Sequence, residues 1–90
     1  MMNQDTNGAA PEALALSALA WTLSEEARAE RLLATTGLTP EGLRSGLGDP
    51  AFLAAALRFL EAYEPDLLAC AEALDISPTQ IVAARRSLES

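Results

Sequence analysis

Prolines at positions 11, 40, 50, 65 and 78 punctuate a chain of ninety residues in which alanine (19) and leucine (16) together exceed a third. Alanine and leucine head the helix propensity scale. Proline has no N–H, but the first helical turn leaves its amides unpaired anyway, and the fixed φ of the ring suits the first helical position. Each of the five prolines is therefore predicted to open a helix. The flanking residues agree. Thr39, Asp49 and Ser77 stand where an N-cap oxygen would accept from first-turn amides. Ser77 with Gln80 forms a capping box, and Ile76 with Ile81 occupies the staple positions around it; Leu38 with Leu43 and Tyr63 with Leu68 repeat that staple around Thr39 and Glu64. Ser24 is placed to cap a helix whose first turn carries Glu25 and Glu26. Gly37 and Gly48 follow helical runs, where a left-handed cap is expected.

These signals predict helices over roughly 11–23, 25–36, 40–46, 50–62, 65–74 and 78–88. They leave open whether the first two run on through Ser24. Gly42 and Gly46 give the third the weakest intrinsic preference. One valine and two isoleucines leave little to build strands from. Residues 1–10 are small, polar and aperiodic, which predicts a flexible, disordered tail. The fold class is all-α: a compact bundle of five to six short helices forming a single domain over residues 11–90. Leu38-Thr39-Pro40-x-x-Leu43 and Ile76-Ser77-Pro78-x-x-Ile81 share a plan. Two copies read as one helix-start recipe used twice, since a solenoid stacks at least three units.

Helical spacing marks the core. In the fourth segment Phe52, Ala55, Ala56, Phe59, Leu60 and Tyr63, with Leu53 and Leu57, make a wide apolar stripe. Leu67, Cys70, Ala71 and Leu74 share a face of the fifth, and Ile81, Ala84 and Leu88 a face of the sixth. Ala29, Leu32, Leu33 and Leu38 complete a surface in the second. The first segment is apolar nearly all round, with Leu16, Leu19, Ala20 and Leu23 on one side and Leu14, Ala18 and Trp21 on the other. Such a helix is central to a bundle or shared between chains. Trp21 has two readings: a core ring, or the anchor of an interface with Leu14 and Ala18 beside it.

The composition excludes much chemistry. Histidine is absent, which removes the usual general base near neutral pH and the commonest nitrogen ligand for metals. One cysteine, Cys70, makes neither an internal disulfide nor a cysteine-rich zinc site. Its neighbours Leu67, Leu68, Ala71 and Glu72 disfavour a thiolate, so it reads as a small core residue. Glu61, Glu64, Asp66, Glu72 and Asp75 concentrate negative charge, yet a di-iron bundle needs Glu-x-x-His and no twelve-residue calcium loop is present. They read as a solvated acidic face, with binding of a basic partner as the minority alternative. No phosphate loop, nucleophile elbow or dinucleotide fingerprint occurs. Six arginines against thirteen acids, a net charge of −7, ill suit the chain to phosphate backbones or anionic lipid. The longest apolar stretch, residues 13–23, is half the length a membrane span needs, and residues 1–10 lack the basic start of a secretory signal. The expected location is the cytoplasm, with no metal and no cofactor.

The C-terminal segment, 65–88, resembles a helix-turn-helix hairpin. Ala71 is the small residue of its first helix, and Leu74, Ile76, Ile81 and Ala84 are its apolar skeleton. Thr79, Gln80 and Ala83 would then face the major groove, with Arg85 or Arg86 on phosphate. Asp75 departs from the usual glycine of the turn, and Glu64, Asp66 and Glu72 would approach the duplex.

One family resemblance covers about residues 11–89. It rests on Ala18-Leu19-Ala20-Trp21, Arg31-Leu32-Leu33-Ala34-x-x-Gly37-Leu38-Thr39-Pro40, Gly48-Asp49-Pro50, Phe59-Leu60, Pro65-Asp66-Leu67-Leu68 and Ala83-Ala84-Arg85-Arg86. In these the chain resembles the alphaproteobacterial family described as domain of unknown function 3572. The resemblance implies a small, standalone, all-helical bacterial protein, and it brings no activity, cofactor or catalytic residue.

The functional expectation is a non-enzymatic helical protein that serves as a protein–protein interaction or self-association module, with a protein or a second copy of itself as partner. Trp21, Leu14 and Ala18 are the candidate contacts. The alternative is DNA binding through the 65–88 hairpin, with Thr79, Gln80, Ala83 and Arg86 as contacts.

Overall fold

The computed structural model describes the backbone of residues 3–90 and the side chains of residues 11–90. Among these the chain forms six α-helices and no strand: α1 (Asn3–Leu23), α2 (Glu26–Thr36), α3 (Pro40–Ser45), α4 (Pro50–Glu61), α5 (Glu64–Leu74) and α6 (Pro78–Glu89). A single 3₁₀ turn, Gly46–Gly48, joins α3 to α4. Among the described residues no single helix is long and apolar enough to cross a membrane.

Local chemistry sets most helix starts. Thr39 accepts from the Gly42 amide, Asp49 from the Ala51 amide and Ser77 from the Gln80 amide, and Gln80 Oε1 accepts in turn from the Ser77 amide. Pro40, Pro50 and Pro78 then take the first helical position, while Pro65 takes the second, behind Glu64. That shift makes Tyr63 the cap residue of α5 and undoes the Tyr63–Leu68 staple; both side chains stay about half exposed. Ser24 caps nothing. Its hydroxyl turns back to the Trp21 carbonyl at 2.6 Å, and extended Glu25 precedes α2 without a side-chain cap bond.

Pro11 corrects the rule that every proline opens a helix, because it lies inside α1. An interior proline forfeits its bond to the carbonyl four residues back and costs about 3 kcal/mol relative to alanine. Here that carbonyl belongs to residue 7, ahead of Ala15, the first buried side chain among those described. The defect therefore falls outside the packed part of α1. The flexible tail expected over residues 1–10 lies outside the described side chains; its backbone from Asn3 is counted in α1.

Helix stops divide differently from expectation. Gly37 adopts φ 75° and donates to the Leu33 carbonyl, a left-handed cap. Gly48 does not; it closes the 3₁₀ turn, and Asp49 then turns extended into its capping role. The second left-handed residue is Asp75, at φ 59° and ψ 45°. The Ile76 amide reaches the Ala71 carbonyl at 2.9 Å and the Asp75 amide reaches Glu72 at 3.1 Å, the paired bonds of a Schellman stop. Aspartate tolerates this conformation better than most residues do, so glycine is dispensable here.

The core is a triangle of α1, α4 and α6, with α2 and α5 on its flanks. α4 supplies Leu53, Ala54, Ala56, Leu57, Phe59 and Leu60, α6 supplies Ile81 and Ala84, α5 supplies Cys70 and Ala71, and α2 supplies Leu32. The inward stripe of α1 is Ala15, Ala18, Leu19 and Thr22, not either of the two faces read from its leucines; Leu16 and Ala20 face solvent. Thr22 is buried because its hydroxyl donates to the Ala18 carbonyl at 2.8 Å, within its own helix. A satisfied hydroxyl carries little desolvation penalty, and the alanine methyls leave room for the neighbouring helices. α3 contributes no fully buried residue, in keeping with its weak intrinsic preference. The radius of gyration, 12.6 Å, is close to the roughly 12 Å of a compact chain this long.

The α3–α4 corner depends on Gly46 for space. A Cβ there would lie 2.8 Å from Cγ, 2.9 Å from Cδ2 and 3.3 Å from Cβ of Phe52, so relief requires a new χ1 for a ring that packs against the core, or a shift of the backbone. Gly46→Ala should therefore lower stability by about 1–2 kcal/mol, although alanine is the better helix former. Urea denaturation checks this: a midpoint at or above that of the parent protein would mean that Phe52 yields without cost.

Candidate interaction surface

Three helices converge where α4 ends. Its last residues turn through Ala62 (φ −73°) into extended Tyr63 (φ −136°, ψ 101°), and α5 starts at Glu64. Residues 59, 62 and 63 continue the core stripe of α4 by helical spacing, but past Leu60 that stripe runs out of cover. Phe59 is still buried; Tyr63 is half exposed. Its inclusion in the core by spacing alone is thus corrected.

α2 passes alongside. Arg31 sets its guanidinium 5.5 Å from the Phe59 ring centroid and 5.4 Å from that of Tyr63, and Nη2 donates to Asp66 Oδ2 at 2.7 Å. Thr35 lies one turn further along α2. Arg31, Thr35, Phe59, Ala62 and Tyr63 line an open groove of about 480 Å³. A shallower hollow of about 260 Å³, lined by Arg58, Glu61, Ala62 and Arg85, adjoins it at Ala62. Its charges form a chain: Arg85 Nε donates to Glu61 at 2.7 Å, Arg85 Nη1 to Glu89 at 2.9 Å, and Arg58 Nε to Glu89 at 2.6 Å. The hydrogen bond to Glu61 raises the Arg85 pKa, and the bond from Arg58 lowers that of Glu89. The Glu89 contribution is present at neutral pH and is lost as pH falls through its depressed value.

Trp21, Leu14 and Ala18 do not make a free surface. Ala18 has no accessible area, so it faces the core and is removed from any contact the folded monomer offers. Leu14 and Trp21 are half-buried against the core. The indole face is further covered by Arg28, whose guanidinium carbon sits 3.7 Å from the ring centroid. Arg28 also donates to the Trp21 carbonyl, Ser24 Oγ and Glu25 Oε1. This clasp holds the break between α1 and α2, which do not run on through Ser24.

The α5–α6 hairpin bends by 99°, within the roughly 90–120° of helix-turn-helix units. Thr79, Gln80, Ala83 and Arg86 are all exposed on α6. Gln80 Oε1 is engaged with the Ser77 amide, and Arg85 is tied to Glu61 and Glu89, leaving Arg86 as the only arginine of the hairpin without a carboxylate partner among the described residues. No group of three or more metal-ligating side chains occurs among those residues. Cys70 is fully buried, and burial pushes its thiol up to about 11, so it is not poised as a nucleophile.

The family model described as "Protein of unknown function (DUF3572)" matches residues 8–90. The chain belongs to this family. No curated protein and no solved structure matches it. The matched span takes in all of α2 to α6 and most of α1, so the groove, the arginine chain and the hairpin all lie within the family's own extent.

Sequence reasoning had no local signal for Arg31 beside Asp66, 35 residues apart, or for Arg85 beside Glu61, 24 apart. The one clue was periodic: a stripe from Phe52 to Tyr63 that outlasts its helix.

Proposed function

We propose that this protein is a non-enzymatic interaction module that docks a segment of a partner protein in the groove between α2 and the end of α4. The observation that carries this is Tyr63, half exposed on an extended residue and braced by Arg31, at the rim of an apolar groove. Tyrosine and arginine are enriched among residues that dominate binding energy. We place the protein in the cytoplasm, since its one cysteine is unpaired and a reducing compartment suits it.

A photo-crosslinking residue at position 63, compared with one at exposed position 79, tests the reading. A discrete adduct from 63 and none from 79 is expected; equal yields from both, or an adduct from 79 alone, would sink it. Sedimentation at roughly micromolar concentration separates a second copy from another protein as occupant, since most specific complexes persist there.

DNA binding through α5–α6 is the second reading, favoured by the 99° bend and by Asp75 in the left-handed turn. Charge opposes it. With Arg86 the one arginine of the hairpin without a carboxylate partner among the described residues, binding should weaken with salt by a slope of only about −1, against roughly −6 to −9 for proteins making many phosphate contacts. Titrating labelled duplex at low salt decides: a steep, saturable isotherm would promote this reading over the groove.

A further inference from the structure

On the groove reading, we propose that the surface around Ala62 selects a segment in which a carboxylate lies beside an aliphatic or aromatic side chain. The two hollows that meet at Ala62 are lined by Arg31, Arg58 and Arg85, half of the six basic residues of a chain whose net charge is −7, and by a single acid, Glu61. Their internal partners do not exhaust them. A guanidinium carries five N–H donors. Arg58 uses only Nε, on Glu89, and its side chain is 64 % exposed, so its outer fork of Nη1 and Nη2 faces solvent. That fork matches a carboxylate bidentately. Arg31 uses only Nη2, on Asp66, and is 46 % exposed; that bond, with the Phe59 and Tyr63 ring centroids 5.5 and 5.4 Å from its guanidinium carbon, restricts its motion. A donor fixed before binding loses less entropy on binding. Arg85 is mostly buried between Glu61 and Glu89 and contributes position rather than free donors.

Each arginine is balanced by a carboxylate, so the region has no net positive field to draw in a polyanion. What it offers is short-range: directed N–H groups beside apolar area. A single carboxylate with an apolar neighbour satisfies both. A basic segment would find its complement elsewhere, on the exposed Glu64, Leu68 and Glu72 of α5 and Asp75 just after it, whose three acids have no cationic partner among the described residues.

The test uses two probes of one shape and opposite charge, 4-phenylbutyrate and 4-phenylbutylamine, titrated into the full ¹⁵N-labelled chain at constant pH and ionic strength. Phenylbutyrate should shift the Thr35, Ala62 and Tyr63 amides and the Arg31 and Arg58 Nε–H signals saturably, with a dissociation constant on the order of millimolar for so small a ligand. Arg58→Gln, at an exposed position that keeps the fold, should weaken it by roughly tenfold, the worth of a charge-assisted bond. Phenylbutylamine should bind these positions at least about tenfold more weakly and move α5 signals instead. Equal binding of both probes, no loss in Arg58→Gln, or no saturable shift with phenylbutyrate would each overturn the proposal. Equal binding leaves the docking reading standing without its anion preference. Saturable phenylbutyrate binding without a crosslink from position 63 does the reverse.

Discussion

Leu57→Ala should remove about 3–5 kcal/mol of stability, the upper range for a buried leucine. Leu57 has no accessible surface and sits mid-way along α4, the helix that faces both α1 and α6. Truncation there leaves a cavity whose lining comes from several helices, and such a site collapses poorly. A ninety-residue domain has on the order of 5–13 kcal/mol in total, so the variant should be close to its unfolding threshold at 37 °C. Urea denaturation by circular dichroism measures it, with an unchanged slope showing that the two-state comparison holds. Leu68→Ala is the control. Leu68 is about half exposed on α5 and should change stability by less than about 0.5 kcal/mol. Similar losses at the two positions, or a loss at Leu57 below about 1.5 kcal/mol, would displace α4 from the centre of the fold.

What could be read from the letters follows how local the physics is. Thr39, Asp49 and Ser77 each accept from an amide two or three residues on, so a short window contains the whole interaction. The same holds for Gly37. It fails for Gly48, which closes the 3₁₀ turn Gly46–Gly48 and does not take the left-handed conformation of a helix stop. Pro11 failed for a related reason. Proline suits a first helical position but does not require one, and α1 continues upstream of it. The inward stripe of α1 was hidden by residue size: Ala15, Ala18 and Thr22 carry little hydrophobic signal, yet small side chains with a satisfied hydroxyl are what a central helix can bring close to its neighbours.

The candidate surface was less legible, since all but one of the contacts that define it (Arg85 to Glu89, within α6) join residues distant in sequence. Arg31 reaches Asp66 and the rings of Phe59 and Tyr63, and Arg85 and Arg58 meet at Glu89. No spacing rule ties α2 to α5. Trp21 drew attention as the one large aromatic on an apolar helix, but the Arg28 clasp occupies the face that a partner would need. The helix-turn-helix resemblance survived as geometry, because its turn is fixed by Asp75 and its second helix by the Ser77 box, both local. Its charge was equally plain in the sequence, and the ion pairs at Arg85 reduce the free cations further.

Alkaline pH should destabilise this protein through Cys70, with a loss of roughly 2 kcal/mol by about pH 11. Burial raises the thiol from 9.0 to about 11; nearby Arg28 opposes the rise and Asp66 adds to it. The thiol is neutral when protonated, so the folded state holds its proton while the unfolded chain releases it. Between about pH 9 and 11 the unfolded state therefore binds fewer protons, and stability falls as pH rises. Below about pH 8 both states are almost wholly protonated and the contribution is flat. The chain has neither lysine nor histidine, which leaves this stretch of pH sparsely populated by other titrating side chains and makes the effect separable. Urea midpoints at about pH 8 and 10.5 should differ clearly in the parent protein and far less in Cys70→Ala, whose own truncation cost appears at both. The native thiol should also resist disulfide reagents at neutral pH, reacting only through opening of the α5 packing. An equal alkaline loss in Cys70→Ala would assign it to other groups, and rapid native labelling would contradict the burial of Cys70.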